Sequence, residues 1–373
     1  MHLGQRKPWR IALAVAATLA ATTAARADIT TTFSGFGTVG GSFTGNSDFS
    51  YNHDASEYVG ASNQFDIGLE SRLGLQGKVD FGEGFSVTAQ EVFRLRGSNQ
   101  FDPGTEWLYV QYSPDADFQI RLGRVVLPVF LYSDSRQVGY AAPWFRAPNE
   151  VYASFPFNYV DGGQVTWQKS LGRFTVSLQG TTGTTSGTFN TSNNLTVVVN
   201  GHDIFNESVS VTYGDLMVRI AQTTMKSPNS IPLTPTFTLD YVEHATYLSA
   251  GAQYDNGHAV VLGEWVNSKQ GPLPVFNEPL TANKAWYASM GWRFSKFLPL
   301  VTYSSTHEEQ SLLSAPYTKG SWSASLRYDV VSNIALKAEV TRAPGSDGII
   351  FTTDDPTTRE HVNVYSLGAD FVF

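Results

Sequence analysis

The amino-acid sequence predicts an all-β protein: a transmembrane antiparallel β-barrel of about sixteen strands, with a long inward-folded third loop. Three observations carry this prediction, namely an aromatic C-terminal strand, an alternation of short turns with long connections, and aromatic residues near strand ends. In the final strand Tyr365, Leu367, Ala369, Phe371 and Phe373 share one face, because side chains alternate across a strand. A soluble chain end usually frays, whereas a strand that closes a barrel in lipid must stay paired. This favours a membrane barrel over the terminal strand of a soluble β-sandwich.

The N-terminal segment predicts export from the cytoplasm. Arg6, Lys7 and Arg10 precede an uncharged run at residues 11–25, and Ala25 and Ala27 occupy the small positions that a signal peptidase reads. We therefore predict a signal peptide at residues 1–27 and a single barrel domain at residues 28–373. Beyond residue 28 the sequence has no run of about 18 apolar residues, so it predicts no spanning helix. The chain contains no cysteine, which excludes disulfide and thiol chemistry.

The chain alternates apolar and polar residues in consecutive hairpins. Leu69–Phe81 and Phe85–Arg96 flank a tight turn at residues 82–84, and Thr30–Thr44 and His361–Phe373 are the first and last strands. Further short turns are predicted near Pro114-Asp115, Leu171-Gly172, Gly214-Asp215, Asn256-Gly257, Ser295-Lys296 and Ser332-Asn333. The strands between them total about sixteen, a number that encloses an aqueous channel, whereas eight strands leave an interior filled by side chains.

Aromatic residues and net charge bear on the surroundings of the barrel. Trp286, Trp292, Trp322 and Tyr328 lie on outward faces near strand ends, as in the aromatic girdles of membrane barrels; the alternative is the core of a soluble sandwich. Removing the signal peptide takes four of the 25 Lys and Arg and none of the 33 Asp and Glu, which leaves a net charge of −12. This acidity argues against nucleic acid as a partner.

The longest connection, at residues 125–160, is the third long loop by strand order. It carries aromatic residues throughout, at Phe130, Tyr132, Tyr140, Trp144, Phe145, Tyr152, Phe155, Phe157 and Tyr159. A loop this apolar must pack against something, and long structured loops are usually functional. We expect it to pack against the inner wall of the barrel, and the prolines Pro128, Pro143, Pro148 and Pro156 stiffen the loop.

With these features the chain resembles the general porins of Gram-negative outer membranes. The resemblance covers the signal peptide, the rhythm of turns and loops, the long third loop and the terminal Phe373. It implies a homotrimer in a lipid bilayer with lipopolysaccharide, and a third loop that narrows the pore. It also implies that acidic loop residues face basic residues on the wall. By position these are Asp134 and Glu150 on the loop, and Arg72, Arg94, Arg96 and Arg121 on the preceding strands. The loop lacks the short P-E-F-G-type sequence of some members.

The alternation also predicts many charged residues on the inner face of the wall. The further inward bases are Lys78, Arg173, Arg219, Arg293, Arg327 and Lys337, and the inward acids are Glu70, Asp80, Glu264, Glu339 and Asp370. Lining charges set the ion preference of a pore, although each residue could equally form an ion pair with a neighbouring strand. We expect Arg72, Arg94, Arg96 and Arg121 to share one arc of the lumen and to give modest anion selectivity.

The sequence thus predicts an outer-membrane channel for passive diffusion of small hydrophilic solutes and ions. A substrate-specific channel that uses the loop aromatics is the alternative within this fold. An outer-membrane hydrolase or an adhesin barrel is an alternative from another class. We expect no enzyme, because none of the six histidines after residue 28 lies in a recognisable nucleophile–base or metal motif. No cofactor is expected, and the acids Asp347, Asp354 and Asp355 fit a surface turn better than a calcium loop.

Overall fold

The computed structural model of the chain describes residues 29–52, 60–95, 100–155, 157–190, 196–234, 237–271, 281–309, 316–345, 351–353 and 360–373. The predicted signal peptide lies outside these residues, as do the acids at positions 347, 354 and 355. No helix in the described ranges is both long enough and apolar enough to span a membrane.

Within the described residues, sixteen strands form a closed antiparallel barrel, which confirms the predicted fold class and strand number. They are β1 Thr30–Phe43, β3 Arg72–Gly82, β4 Phe85–Leu95, β5 Phe101–Tyr112, β6 Phe118–Val126, β7 Tyr159–Leu171, β8 Phe174–Asn190, β9 Thr196–Tyr213, β10 Leu216–Thr234, β11 Phe237–Asp255, β12 Ala259–Gln270, β13 Thr281–Trp292, β14 Phe297–Glu308, β15 Tyr317–Val331, β16 Ile334–Pro344 and β18 His361–Val372. Two short strands, β2 Phe49–Tyr51 and β17 Phe351–Thr353, pair with each other outside the barrel.

The barrel closes where the first and last strands meet. β1 pairs with β18 on one side and with β3 on the other, and every other barrel strand pairs with its neighbours along the chain. The terminal Phe373 exchanges both backbone hydrogen bonds with Gly35, each at 2.9 Å. Closure removes the sheet edge, so backbone groups facing lipid are paired, as the aromatic C-terminal strand predicts.

The turn between β3 and β4 requires glycine. Gly82 and Gly84 have φ of 77° and 80°, a left-handed conformation in which only glycine avoids a steric penalty. A Cβ on Gly84 would also lie 2.1 Å from the carbonyl oxygen of Ser113. The tight turn predicted at residues 82–84 therefore depends on both backbone conformation and close packing.

The two faces of the strands differ as the alternation predicts. On β13 the outward side chains Trp286, Met290 and Trp292 are exposed, whereas the inward Tyr287 and Ser289 are buried. Most of the buried apolar residues form one cluster inside the barrel, between the third loop and the wall of β9–β14. A second cluster lies under the small β2–β17 sheet and includes Tyr51, Leu69 and Val362.

Two features differ from the sequence prediction. Strands β8 to β11 are 17 to 19 residues long, whereas about 9–11 residues suffice for a strand to span a membrane. The outer part of β8, residues 180–190, is rich in Thr, Gly and Ser, so it lacks the apolar alternation that marks a strand in lipid. The backbones of all four extensions still pair with their neighbours. Glu70, predicted on a strand, lies in a turn before β3, where it is buried.

Candidate pore constriction

The connection between β6 and β7 is loop 3, residues 127–158. It contains two 3-10 turns, Ser133–Ser135 and Gly139–Ala141, and one short helix, α1, Asn149–Tyr152. Its aromatic residues Phe130, Trp144, Tyr152, Phe155 and Phe157 are buried. Loop 3 is therefore a packed segment with its own apolar contacts, as its composition predicts.

One end of loop 3 is bound to strands β10–β12. Arg219 on β10 donates hydrogen bonds to the carbonyl oxygens of Pro128 and Phe130. Ser249 on β11 donates to the carbonyl of Val129 at 2.6 Å. Glu264 on β12 accepts a hydrogen bond from the backbone N–H of Leu131 at 2.7 Å. These inward polar side chains thus form hydrogen bonds with backbone groups of loop 3 that would otherwise be buried beside the apolar cluster without a partner.

The middle of loop 3 is bound to strands β13–β16. Trp144 Nε1 donates to Ser289 Oγ on β13 at 2.8 Å. Arg327 on β15 donates to the carbonyls of Tyr140 and Ala142, at 2.7 and 3.0 Å. Lys337 on β16 donates to the carbonyls of Gly139 and Ala142 at 2.6 and 2.7 Å, and pairs with Asp370 of β18 at 2.9 Å.

Arg146, two residues after Trp144 in loop 3, lies in a buried network of charges. Its guanidinium pairs with Glu70, lies 3.6 Å from Glu339 and donates to Ser42 Oγ on β1 at 2.9 Å. Burial alone would lower the pKa of Arg146, but the charges of Glu70 and Glu339 raise it overall, so the side chain stays charged. The backbone N–H of Phe145 also donates to Glu339, at 3.1 Å. We call Arg146, Glu70, Glu339 and Ser42 the latch.

These contacts place loop 3 inside the barrel. It touches inward side chains of β10, β13, β16 and β1, which lie around more than half of the circumference. A segment in contact with inner faces so far apart must lie across the lumen. Several predicted lining residues, among them Arg219, Arg327 and Lys337, are accordingly engaged in holding loop 3 rather than lining open water.

The predicted constriction bases lie on the wall of β3–β6. Arg72 on β3 and Arg94 on β4 are direct partners in the strand register, and Asp102 on β5 is the next residue in the same row. Arg72 also reaches loop 3, where its Nη1 lies 3.4 Å from Gln137 Oε1. Two of the predicted bases therefore form one row that meets loop 3. Arg96 lies outside the described residues.

Arg121 faces the same arc of the lumen but lies at another height. Its register partner on β5 is Gln111, which in turn pairs with Ser86 on β4, and Ser86 pairs with Asp80 on β3. Asp80 and Arg72 lie at opposite ends of β3, so Arg121 and Arg72 lie at different heights. Arg121 donates to Gln111 at 3.0 Å and to Gln164 at 3.3 Å. The expectation that the arginines form one cluster thus overlooked distance along the strand: alternation gives the face of a residue, and only the register gives its level.

The predicted loop acids have different environments. Asp134 lies in the first 3-10 turn and is exposed, on the side of loop 3 where its charge acts on Arg219. Glu150 in α1 is 7% exposed and accepts a hydrogen bond from Ser321 on β15. Glu150 was expected to face the arginines across the open lumen. It lies elsewhere, because α1 packs against β12–β14 and turns Glu150 towards that side of the wall.

Arg146 is the principal site residue that the sequence analysis did not identify. It lies within a loop whose aromatic content already predicted burial, and a buried arginine needs acidic partners. Glu70 and Glu339 were identified as inward acids, and Arg146 pairs with both of them. The available signal was an arginine in a loop predicted to be buried, together with two acids predicted on the inner wall.

A closed sixteen-strand barrel with a loop bound across its lumen defines a class, the outer-membrane channels. A sequence model of Gram-negative porins matches residues 12–348, which is most of the chain. The protein belongs to the Gram-negative porin family, and this family membership implies an outer-membrane location. A sequence search of curated proteins finds no match.

Several solved structures share the fold at low sequence identity. OmpT, an outer membrane protein of Vibrio cholerae, is 14% identical over 94% of this chain and 99% of its own, with a TM-score of 0.61. An anion-selective porin from Comamonas acidovorans is 12% identical over 93% and 100%, with a TM-score of 0.58. OmpF of Salmonella typhi, in complex with daunomycin, is 11% identical over 92% and 97%, with a TM-score of 0.59.

Proposed function

We propose that the protein is a water-filled channel for passive diffusion of small hydrophilic solutes and ions, and that it is not an enzyme. The observation that carries the proposal is the placement of loop 3. Its backbone and its buried aromatics are bound to the wall of β10–β16, so the opposite wall, with Arg72, Arg94 and polar neighbours, is left to line the passage. A passage between a fixed loop and a polar wall admits hydrated solutes without a dedicated binding site.

The packing of the loop aromatics counts against the alternative, a substrate-specific channel. A track for apolar or sugar substrates needs aromatic faces open to the lumen. Trp144 instead packs edge-on against Tyr132 and Tyr287, and Phe155 packs edge-on against Tyr247. These rings are used to hold loop 3 against the wall, which leaves general diffusion as the better supported function.

Two further parts of the proposal concern export and assembly. We propose that the signal peptide is removed after Ala27 during passage through the periplasm. We also propose that the protein is a homotrimer in a bilayer that contains lipopolysaccharide. One solved structure with this fold, OmpT of Vibrio cholerae, is described as a trimer form.

The outer wall offers support for assembly. The outward face carries the exposed rings of Trp286 on β13, Trp322 on β15 and Tyr365 on β18. On the outward face of β6 and β7, Arg124 and its register partner Asp161 form a bidentate ion pair with both distances at 2.7 Å. Aromatic rings suit the lipid interface and charged pairs suit a protein partner, so the wall of β4–β7 is the proposed contact between copies.

A conductance experiment tests the channel function. Folded protein reconstituted in planar bilayers should give discrete, ohmic current steps, and a variant lacking residues 131–153 should conduct more. A second variant, with the latch residue Arg146 replaced by Ala, covers the case in which the deletion does not fold. Folded protein that gives no current would sink the channel proposal. Hydrolysis of ester or peptide substrates by the same preparation would sink the non-enzymatic one.

A further inference from the structure

The first and last barrel strands meet at a junction that no turn connects. Every other adjacent pair of barrel strands that the structure describes is consecutive along the chain, whereas β1 and β18 come from opposite ends. Contacts alone must close this junction, because the two strands have to be brought together over the whole length of the chain. We call the β1–β18 junction the seam. Three successive inward register pairs lie along it: Thr38–Asp370, Gly40–Gly368 and Ser42–Ser366.

These inward pairs offer little side-chain contact between the two strands. Cross-strand side-chain contacts are a main source of stability in a sheet, and glycine supplies none. The middle pair is two glycines, Gly40 and Gly368, and the next pair is two serines whose hydroxyl oxygens lie 2.9 Å apart. The inner face of the seam therefore depends on contacts from elsewhere in the chain.

The aromatic ring of Phe145 in loop 3 covers the glycine pair. A Cβ on Gly40 would lie 3.0 Å from the Phe145 ring, and a Cβ on Gly368 would lie 2.9 Å from it. One buried ring thus lies against both strands at the point where neither has a side chain. The backbone N–H of Phe145 donates to Glu339 on β16, the strand on the other side of β18, and this bond fixes the ring in place.

On one side of the glycines, the turn Gly139–Ala141 of loop 3 lies against the pair Thr38–Asp370. Lys337 on β16 donates to the carbonyl oxygen of Gly139 at 2.6 Å and pairs with Asp370 at 2.9 Å. Asp370 also accepts a hydrogen bond from Thr38 across the seam at 2.5 Å. A Cβ on Gly139 would clash with both Asp370 and Thr38, so the backbone of loop 3 itself packs against β1 and β18.

On the other side of the glycines, the latch reaches the serine pair. Arg146 donates to Ser42 Oγ at 2.9 Å, and Ser42 donates to Glu70 at 2.7 Å. Since Ser42 Oγ also lies 2.9 Å from Ser366 Oγ, the guanidinium is bonded to β1 directly and to β18 through a single hydroxyl. Loop 3 therefore contacts all three successive inward pairs of the seam.

We propose that loop 3 has a second function, as a clamp that keeps the seam of the barrel closed. The ring of Phe145, the turn at Gly139 and the guanidinium of Arg146 supply the contacts that the inward pairs lack. The clamp acts whether or not ions pass beside it, so this inference does not rest on the channel function. When these contacts are lost, local opening of the barrel should begin at the seam.

Hydrogen exchange of the full protein, reconstituted in phosphatidylcholine vesicles, tests the clamp. The test variant is Phe145→Ala. The matched control is Phe155→Ala, which removes another buried ring of loop 3, one that packs on Tyr247 of β11. We expect the amides of residues 36–43 and 365–372 to exchange roughly tenfold faster in the test variant, because loss of a buried phenyl ring is costly enough to shift a local opening equilibrium that far. The control should leave these amides at the wild-type rate.

A disulfide across the seam provides a second arm, because the chain has no cysteine of its own. Val39 and Ala369 are outward register partners, so Val39→Cys with Ala369→Cys joins the two strands in oxidised protein. In this background Phe145→Ala should exchange slowly at the seam when oxidised and fast when reduced. Phe145→Leu keeps a smaller apolar group over the glycines and covers the case in which the alanine variant does not fold; it too should raise exchange at the seam alone.

Three results would overturn the clamp. They are equal exchange at the seam in the Phe145 and Phe155 variants, a wild-type rate at the seam in both Phe145 variants, and fast exchange that the oxidised disulfide does not slow. Single-channel recording of the same preparations separates this inference from the channel function. Faster exchange confined to the seam, in a folded protein that carries no current, would support the clamp and contradict the channel.

Discussion

Individual charged residues divide into those that hold loop 3 and those that face the passage. Arg146 belongs to the first group, since its guanidinium is buried between Glu70 and Glu339. We propose that Arg72 and Arg94 belong to the second; they lie in one row on β3 and β4, and Arg72 also reaches Gln137 of loop 3. The distinction could not be obtained from alternation, because an inward residue may meet either loop 3 or water, and only the fold of the loop decides which.

Removal of the latch arginine should loosen loop 3. Arg146→Ala leaves two buried carboxylates without their cation, and breaking a buried ion pair from one side costs about 3–5 kcal/mol. We expect larger and noisier single-channel currents together with a lower midpoint of thermal unfolding. Arg146→Lys keeps the charge and is the control, with currents close to wild type. Quiet, unchanged currents from Arg146→Ala would show that the apolar contacts hold loop 3 without the latch.

The row of Arg72 and Arg94 should set the ion preference. With both replaced by Ala, Asp102 remains in the row, so the local field changes sign and the reversal potential in a salt gradient should move towards cation preference. Arg121→Ala is the comparison, because Arg121 lies at another level and should move the reversal potential less. Adding Arg96→Ala extends the test to the remaining predicted base. Equal shifts from the two sites would contradict the assignment of the row.

At the scale of elements, strands and loop 3 were predictable for different reasons. Alternation over about 9–11 residues marks a strand with one face in lipid, so the spanning parts were found almost everywhere. The extension of β8 is rich in Thr, Gly and Ser and carries no such contrast, and its pairing with β9 depends on the neighbouring strand rather than on local pattern. Loop 3 was recognisable as packed from its aromatics, but its partners on β10–β16 were not, since they come from residues far apart in the chain.

The β3–β4 turn offers a test of an element whose sequence requirement is local. Gly84→Ala places a side chain in left-handed backbone, at a cost of roughly 1–3 kcal/mol, and brings its Cβ against the Ser113 carbonyl. We expect a lower free energy of unfolding in a urea titration. Gly77→Ala in β3 is the matched control, because its Cβ would meet the Phe33 ring at an ordinary 3.6 Å. If the two variants are equally stable, the turn relaxes without strain.

At the scale of the whole molecule, the outer wall has two unlike halves. β12–β18 present exposed aromatic rings such as Trp286 and Trp322, with the exposed bases Lys284 and Arg342 near them. β4–β7 present the Arg124–Asp161 pair, and Arg124 is also stacked on the Tyr159 ring at 3.8 Å. Glu91 on β4 accepts a hydrogen bond from Thr105 on β5 on the same outward face. A barrel surrounded by lipid on all sides would gain from apolar residues at these positions, so their polarity favours a protein partner there.

The pair Arg124–Asp161 allows the two environments to be distinguished. Replacing both residues by Leu removes the charges together and leaves neither without a partner. If this wall faced lipid, the double variant would be as stable as the wild type or more stable, because charged groups are costly in hydrocarbon. If the wall contacts another copy, the variant should lose trimer, with roughly a tenfold rise in the protein concentration needed for assembly. Native mass spectrometry across a dilution series measures this, and Arg342→Leu on the opposite half is the control that should leave assembly unchanged. Intact trimers of the double variant at every dilution would place the contact between copies elsewhere on the barrel.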